Sequence, residues 1–350
     1  MSLRYIYKEK SLNKMPILNL FSTKKVINTY FDFFFIKFPI WVPLIFILLT
    51  QHFSNHYFLI IIGFLILGEI HFGITYVFFT DKKYYSLFFE KSFIYFFIPI
   101  SLILLLIFFS FIFSLKLILF YILLFNFFHV NRQSVGVLKL YRDHSKNLTS
   151  NFAIFFLYLL SFSLCFIATL KFIFQSNIYF EYEYNLQIFF LILFISSILL
   201  IFFLMLREKR INLSILSSYI TGVLIFTPVL FFSKLIDVFA AGVGMHFVQY
   251  IALTSVIFIR KNNQINETHF SLKNLKFLTS KGLYLIIYLF FYSSLMVSFS
   301  QSNFIFKGEK FGIYLIPVLF QFLHFYFDIF IWKFSDPHSR ANLLPVLYKK

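Results

Sequence analysis

Runs of about 18 or more apolar residues, separated by short polar or charged breaks, follow one another along nearly the whole 350-residue chain. A helix crossing the hydrocarbon core of a bilayer needs about 20 such residues, and inside that core every backbone polar group must bond within its own segment, so each run reads as a helix. Composition agrees. Hydrophobic residues make up 60% of the chain and charged residues 13%, against roughly 25% charged in soluble domains. The sequence predicts an all-α, polytopic transmembrane helix bundle.

The runs place ten spans, at 33–50, 57–80, 92–114, 117–138, 152–174, 186–206, 214–232, 235–259, 282–300 and 312–333. Residues 1–32 then form an N-terminal segment, 33–333 the bundle and 334–350 a tail. The third and fourth spans meet at Ser114, Leu115 and Lys116, which predicts a tight hairpin. The sixth span holds little polarity beyond Ser196 and Ser197 and is expected at the periphery.

The net charge of +17 could point to nucleic acid, but the Lys and Arg sit in short clusters between apolar runs and so read as topology signals. With the N-terminus inside, 24 of the 31 basic residues fall in predicted cytoplasmic segments. The outer side holds Lys116, Lys171, Lys234, Lys307 and Lys310, while Lys37 and Arg132 fall within spans. Both termini are therefore expected in the cytoplasm of a multi-pass protein of the bacterial inner membrane. No small-residue cleavage site follows the first apolar run, so no cleaved signal peptide is expected. Cys165 is the only cysteine and can form no intramolecular disulfide.

Of nine histidines, His52, His56, His144, His269 and His338 fall in predicted loops or the tail and read as solvated. His338 and Arg340, just below the tenth span, could close a site from the cytoplasmic side. The other four, His71, His129, His246 and His324, occupy spans two, four, eight and ten, which all run from outside to inside. Counting from each to the next cytoplasmic charge, at Asp81, Lys139, Arg260 and Lys333, gives 10, 14 and 9 residues for all but His129, which also gives 10. At 1.5 Å rise per residue the spread is roughly 7 Å along the membrane normal, so the four rings could share one layer.

Polar side chains in hydrocarbon are costly and normally face the bundle interior. Span four carries Asn126, His129, Arg132, Gln133 and Gly136 on one helical stripe, span eight Gly242, His246, Gln249 and Tyr250, and span ten Gln321, His324, Asp328 and Trp332. In span two, Gly68, His71 and Thr75 share a stripe. Glu69 points about 200° away from His71 and reads as a supporting acid or proton carrier.

Neutral imidazoles suit iron, copper, zinc and nickel. The expected cofactor is a metal ion, Fe(II) foremost, with zinc and copper left open. Gln133, Gln249, Asn126 and Tyr250 could orient the rings from behind, since a ligating His usually donates its second N–H to an acceptor. Glu69, Asp328 and Arg132 are candidate catalytic residues, and Asp328 could also ligate. Arg132 needs a counter-charge that Glu69 or Asp328 could provide. A metal reached sideways from lipid suits a lipophilic substrate such as a carotenoid or lipid chain, with oxygen-dependent cleavage, hydroxylation or desaturation as the reaction.

The segment Gly68, Glu69, Ile70, His71, Phe72, Gly73, with single histidines in later spans, resembles the bacterial membrane oxygenases of the Brp/Blh type, which cleave beta-carotene to retinal. That resemblance implies an all-helical membrane fold and His71, His129, His246 and His324 as ligands of one iron. The chain departs from the family's late His-x-x-x-His pair, because Asp328 stands four residues after His324. Membrane desaturases carry His-x-x-His-His boxes, which this chain lacks. Other classes remain open: a haem protein, a proton- or ion-coupled transporter using the buried His, Glu, Asp and Arg, and an acyltransferase with one catalytic His.

Overall fold

Proline makes the first departure from that reading. Pro39 has no N–H and disfavours helical backbone in the residue before it, and Phe38 leaves the helix at φ −147°, ψ 61°. The run predicted as one span becomes α1 (Thr29–Lys37) and α2 (Trp41–His52), bent by 59°. The computed structural model describes residues 26–80, 87–112, 115–141, 148–209, 211–263, 280–300, 315–333 and 336–348. Most of the N-terminal segment, His144, His269, Lys307 and Lys310 lie outside them.

The remaining helices are α3 (Ser54–Phe79), α4 (Ile98–Ile112), α5 (Leu115–Leu140), α6 (Leu148–Phe174), α7 (Asn177–Arg207), α8 (Leu213–Leu224), α9 (Leu235–Lys261), α10 (Ser280–Ser300), α11 (Leu315–Ile331) and α12 (Pro337–Leu347). No strand occurs among the described residues. Six helices, α3 and α6 to α10, are long and apolar enough to cross a membrane, or seven crossings if the bent pair α1–α2 counts as one. The helices over the third and tenth predicted spans, Phe93–Phe109 and Ile316–Ile331, are shorter. Over the fourth span, α5 has the length but carries Asn126, His129, Asn131, Arg132 and Gln133 within about two turns. The chain is thus an all-helical integral membrane protein by length and composition.

Lipid is as apolar as a leucine face, so helices associate in it through close packing and hydrogen bonds. Helix α3 lies at the centre, against α9, α10 and α11. Helices α5, α6 and α8 pack together, and α7 covers α6 from outside, exposing Phe189, Ile192, Ile195, Leu199 and Phe203. This is the peripheral position expected of the sixth span. Glycine sets the closest approach: a Cβ on Gly242 would lie 2.0 Å from the Ile225 carbonyl oxygen. Gly242 sits in a π-helical stretch, Phe239–Val243, directly before the segment that carries His246.

Two buried lysines tie helices together. Lys37 Nζ donates to Ser214 Oγ at 2.8 Å and stands 4.3 Å from the Tyr141 ring centre. Lys171 Nζ donates to Glu183 Oε1 at 3.3 Å and to the Val229 carbonyl at 3.2 Å, while Tyr179 donates to the same carboxylate at 2.8 Å. The predicted tail is largely a helix. Asp336 caps α12 by accepting from the His338 and Ser339 N–H groups, and Arg260 of α9 donates to the Val346 and Leu347 carbonyls at its other end.

Candidate metal centre

Four helices deliver one histidine each to a common point: His71 from α3, His129 from α5, His246 from α9 and His324 from α11. Ring centres lie 4.5 Å apart for His71–His324, 4.7 Å for His71–His246 and 4.8 Å for His129–His324. His129–His246 and His71–His129 are 5.8 and 6.4 Å apart. All four rings are buried. The matched depth read from residue counting is therefore a real convergence.

Three of them form a tight set. One ring nitrogen from each of His71, His129 and His324 lies within 4.8 Å of the other two, so this buried triad could hold a metal ion. His324 Nε2 is 3.1 Å from His129 Nε2. Two imidazoles on one tetrahedral ion, at about 2.0–2.1 Å each, place their nitrogens roughly 3.3 Å apart. The pair already stands near ligand spacing. Both nitrogens of His71 are buried with no hydrogen-bond partner among the described residues, a condition that normally costs about 1–3 kcal/mol per group. His246 stands beside this triad, with its own Nε2 buried and likewise without a partner.

Each histidine is followed four residues later by a polar side chain on the same face, namely Thr75, Gln133, Tyr250 and Asp328. These four form a second layer one turn along. Tyr250 OH donates to Asp328 Oδ1 at 2.6 Å, Thr75 Oγ1 donates to the same oxygen at 3.3 Å, and the Gln133 amide donates to Asp328 Oδ2. Thr75 Oγ1 and Tyr250 OH are 2.6 Å apart. Because residues i and i+4 of each helix meet residues i and i+4 of its partners in the same order, α3, α5, α9 and α11 run parallel through the site.

The second layer also gives the other ring nitrogen of His324 a partner. His324 Nδ1 lies 2.7 Å from Thr75 Oγ1. With the Thr75 proton directed at Asp328, the hydroxyl oxygen accepts from His324 Nδ1–H. That leaves the lone pair of His324 Nε2 facing His129, the arrangement by which a carboxylate orients a ligating His through an intermediate donor. Asp328 Oδ2 is 3.6 Å from His324 Nε2 and 3.8 Å from His129 Nε2, close enough to complete a three-histidine, one-carboxylate set after a small shift.

A cavity of about 560 Å³ opens beside the two layers. His129 and His246 line it from the imidazole layer, and Gln133, Tyr250 and Asp328 from the second layer. His71 and His324 do not line it and are 0% exposed. The rest of the wall is apolar, and Leu102 and Leu105 of α4 with Tyr121, Phe125 and Phe128 of α5 carry it out to the lipid-facing surface.

The other predicted residues divide. Tyr250 and Gln133 hold Asp328 as described. Gln249 lines the cavity, but its amide donates to the Ile36 carbonyl of α1 at 2.6 Å rather than to a ring. Asn126 is buried on α5 with its Oδ1 lacking a partner among the described residues. Glu69 lies one turn before Gly73, whose face meets the Tyr292 ring, so Glu69 turns toward α10 and away from the histidines. Arg132 lines the cavity yet forms no ion pair within 4.0 Å among the described residues, with Glu69 or with Asp328. Neither His338 nor Arg340 lines the cavity, and Arg340 is exposed. Thr75 carries more of the site than its place in a stripe implied, and the signal for it was the four-residue spacing shared by all four histidines. No family model matches the chain, and no curated protein or solved structure does either.

Proposed function

We propose that this chain is a membrane-embedded metalloenzyme, a non-haem iron oxygenase acting on a lipophilic chain drawn from the bilayer. One observation carries the reading: one nitrogen from each of three buried histidines, with both His71 nitrogens lacking a partner among the described residues, converges within 4.8 Å beside an apolar cavity that reaches the lipid face. Nitrogen donors with one carboxylate nearby suit Fe(II), with zinc or copper as other occupants. Iron held there would supply oxygen-dependent oxidation of carbon.

The protein's own contribution is positional. His71, His129 and His324 hold the ion, Asp328 orients His324 through Thr75, and Tyr250 and Gln133 keep Asp328 in place. His246 and His129 form the wall against which a substrate chain would lie. Phe125, Phe128, Phe322 and Phe325 line the same cavity and give a hydrocarbon chain an apolar surface. The resemblance to carotene-cleaving oxygenases agrees with this arrangement. The parallel course of the four helices, with one, three and one helices between them, is what ten crossings with both termini cytoplasmic would produce.

The test is oxygen uptake by purified protein reconstituted with Fe(II) and supplied with carotenoid or with membrane lipid extract. Oxygen-dependent, lipid-soluble products that vanish in His129→Ala support the enzyme. Proton- or ion-coupled flux in vesicles, with no oxygen consumed, would replace it with a transporter.

A further inference from the structure

Resting on the reading above, we infer that the cavity takes an amphiphile with an acidic head, a long-chain carboxylate whose head pairs with Arg132. The cavity wall carries two formal charges, Arg132 and Asp328. Both Asp328 oxygens already accept hydrogen bonds, from Tyr250 and Thr75 on one side and Gln133 on the other. Glu69 faces α10 and does not line the cavity. The guanidinium therefore has five donors and no carboxylate within 4.0 Å among the described residues, although Asp328 feels its charge from across the cavity, in a wall otherwise built from Leu, Ile, Val, Phe, Tyr and Trp side chains with a glycine and a few amides and imidazoles.

A charged side chain at membrane depth is retained where it meets a partner or marks a substrate path. Arginine presents a planar fork that matches a carboxylate with two parallel hydrogen bonds. Room for such a head exists beside it. Gly136 stands one turn after Arg132 on the same stripe and lines the same cavity, and a Cβ built on it would meet no atom within 4 Å. From that pocket the wall runs past His129 toward Phe125, Phe128 and Leu105 at the lipid face, an apolar track for a single chain. At about 560 Å³ the cavity falls within the usual range for one small ligand, about 300–1,000 Å³. A free fatty acid fits this description, and a two-chain phospholipid with an acidic head shares the same anion chemistry.

Trp332 lines the cavity, and the chain has two tryptophans, so Trp41→Phe leaves Trp332 as the single reporter. In that background, in phosphatidylcholine nanodiscs, quenching of Trp332 is titrated with nitroxide-labelled stearic acid and with the matching stearyl alcohol. The acid is expected to quench at about tenfold lower concentration or less, the gap for one charge-assisted pair. Arg132→Gln should bring the acid to the alcohol's value, Arg132→Lys should keep most of the gap, and Gly136→Val should weaken the acid with the charge intact. Equal quenching by acid and alcohol in the wild type, or a gap that survives Arg132→Gln, overturns the proposal; should Arg132→Gln fail to fold, the wild-type gap and Arg132→Lys decide it. Displacement of the labelled acid by phosphatidylglycerol as readily as by unlabelled stearate overturns the assignment to a free carboxylate. The titration needs neither metal nor turnover. An acid preference in protein that binds no metal would sink the oxygenase and leave this inference standing.

Discussion

At Lys171 and Lys37 the bundle buries charge and meets it: carboxylate, carbonyl, hydroxyl and aromatic face from other parts of the chain stand against the ammonium groups. The histidine layer does the opposite. Its four rings are as deeply buried, yet His71 offers two nitrogens and His246 one to no partner among the described residues. A fold held by polar contacts in lipid gains nothing from orphaned groups, each of which costs free energy. One turn along, Thr75, Gln133, Tyr250 and Asp328 are joined to one another, with only the Gln133 Oε1 of that layer lacking a partner among the described residues. The contrast sets the lysines, which tie helices together, apart from the histidines, three of which could hold a metal ion.

Breaking the comparison at the histidines should have the largest effect on metal and the smallest on the fold. Single replacement of His71, His129 or His324 by Ala should lower metal affinity by more than the roughly 10–100-fold typical of supporting residues, with elution on size exclusion unchanged. His246→Ala should weaken binding less than any of the three, because its ring stands beside the tight set. If all four lose metal equally, His246 is a ligand and the three-histidine assignment is wrong.

Changes in the second layer should have effects of intermediate size. Asp328→Asn and Thr75→Val should each cost about 10–100-fold in metal affinity, read by competition with a chelating dye. Removing Thr75 should matter although it touches no ion, since among the described residues it alone links His324 Nδ1 to the carboxylate. An unchanged affinity in Thr75→Val would show that the tautomer is set elsewhere.

The lysines provide the converse. Lys171→Met should lower thermal stability by about 1.5–3 kcal/mol, the range for hydrogen bonds to charged groups, with metal affinity unaltered. Gly242→Ala should destabilise through crowding against the Ile225 carbonyl, by about 1–3 kcal/mol. A change in metal content in Lys171→Met would erase the distinction between the two regions.

Much of this was legible in the sequence, and the reasons are physical. Apolar run length reports helices directly in a membrane, and counting from the cytoplasmic charges put His71, His129, His246 and His324 at one depth because 1.5 Å per residue is a fixed ruler. The helical stripes named Gln133, Tyr250 and Asp328. The 59° bend at Pro39 escaped the run-length reading because hydropathy does not register backbone geometry. Gln249 was placed behind a ring on the strength of its stripe, yet its amide reaches the Ile36 carbonyl, a contact that only the position of α1 decides. The pairing of Arg132 with an acid is met only at longer range: Arg132 and Asp328 line one cavity and interact by charge, but no ion pair forms within 4.0 Å, a distance that depth alone does not set.

Metal content is the most direct test of the histidine centre. Elemental analysis of the purified wild type beside His71→Ala, His129→Ala and His324→Ala should find one transition-metal ion per chain in the wild type and its loss in each variant. Wild-type protein that binds no transition metal when offered Fe(II), zinc or copper, or variants that keep the wild-type content, would contradict it.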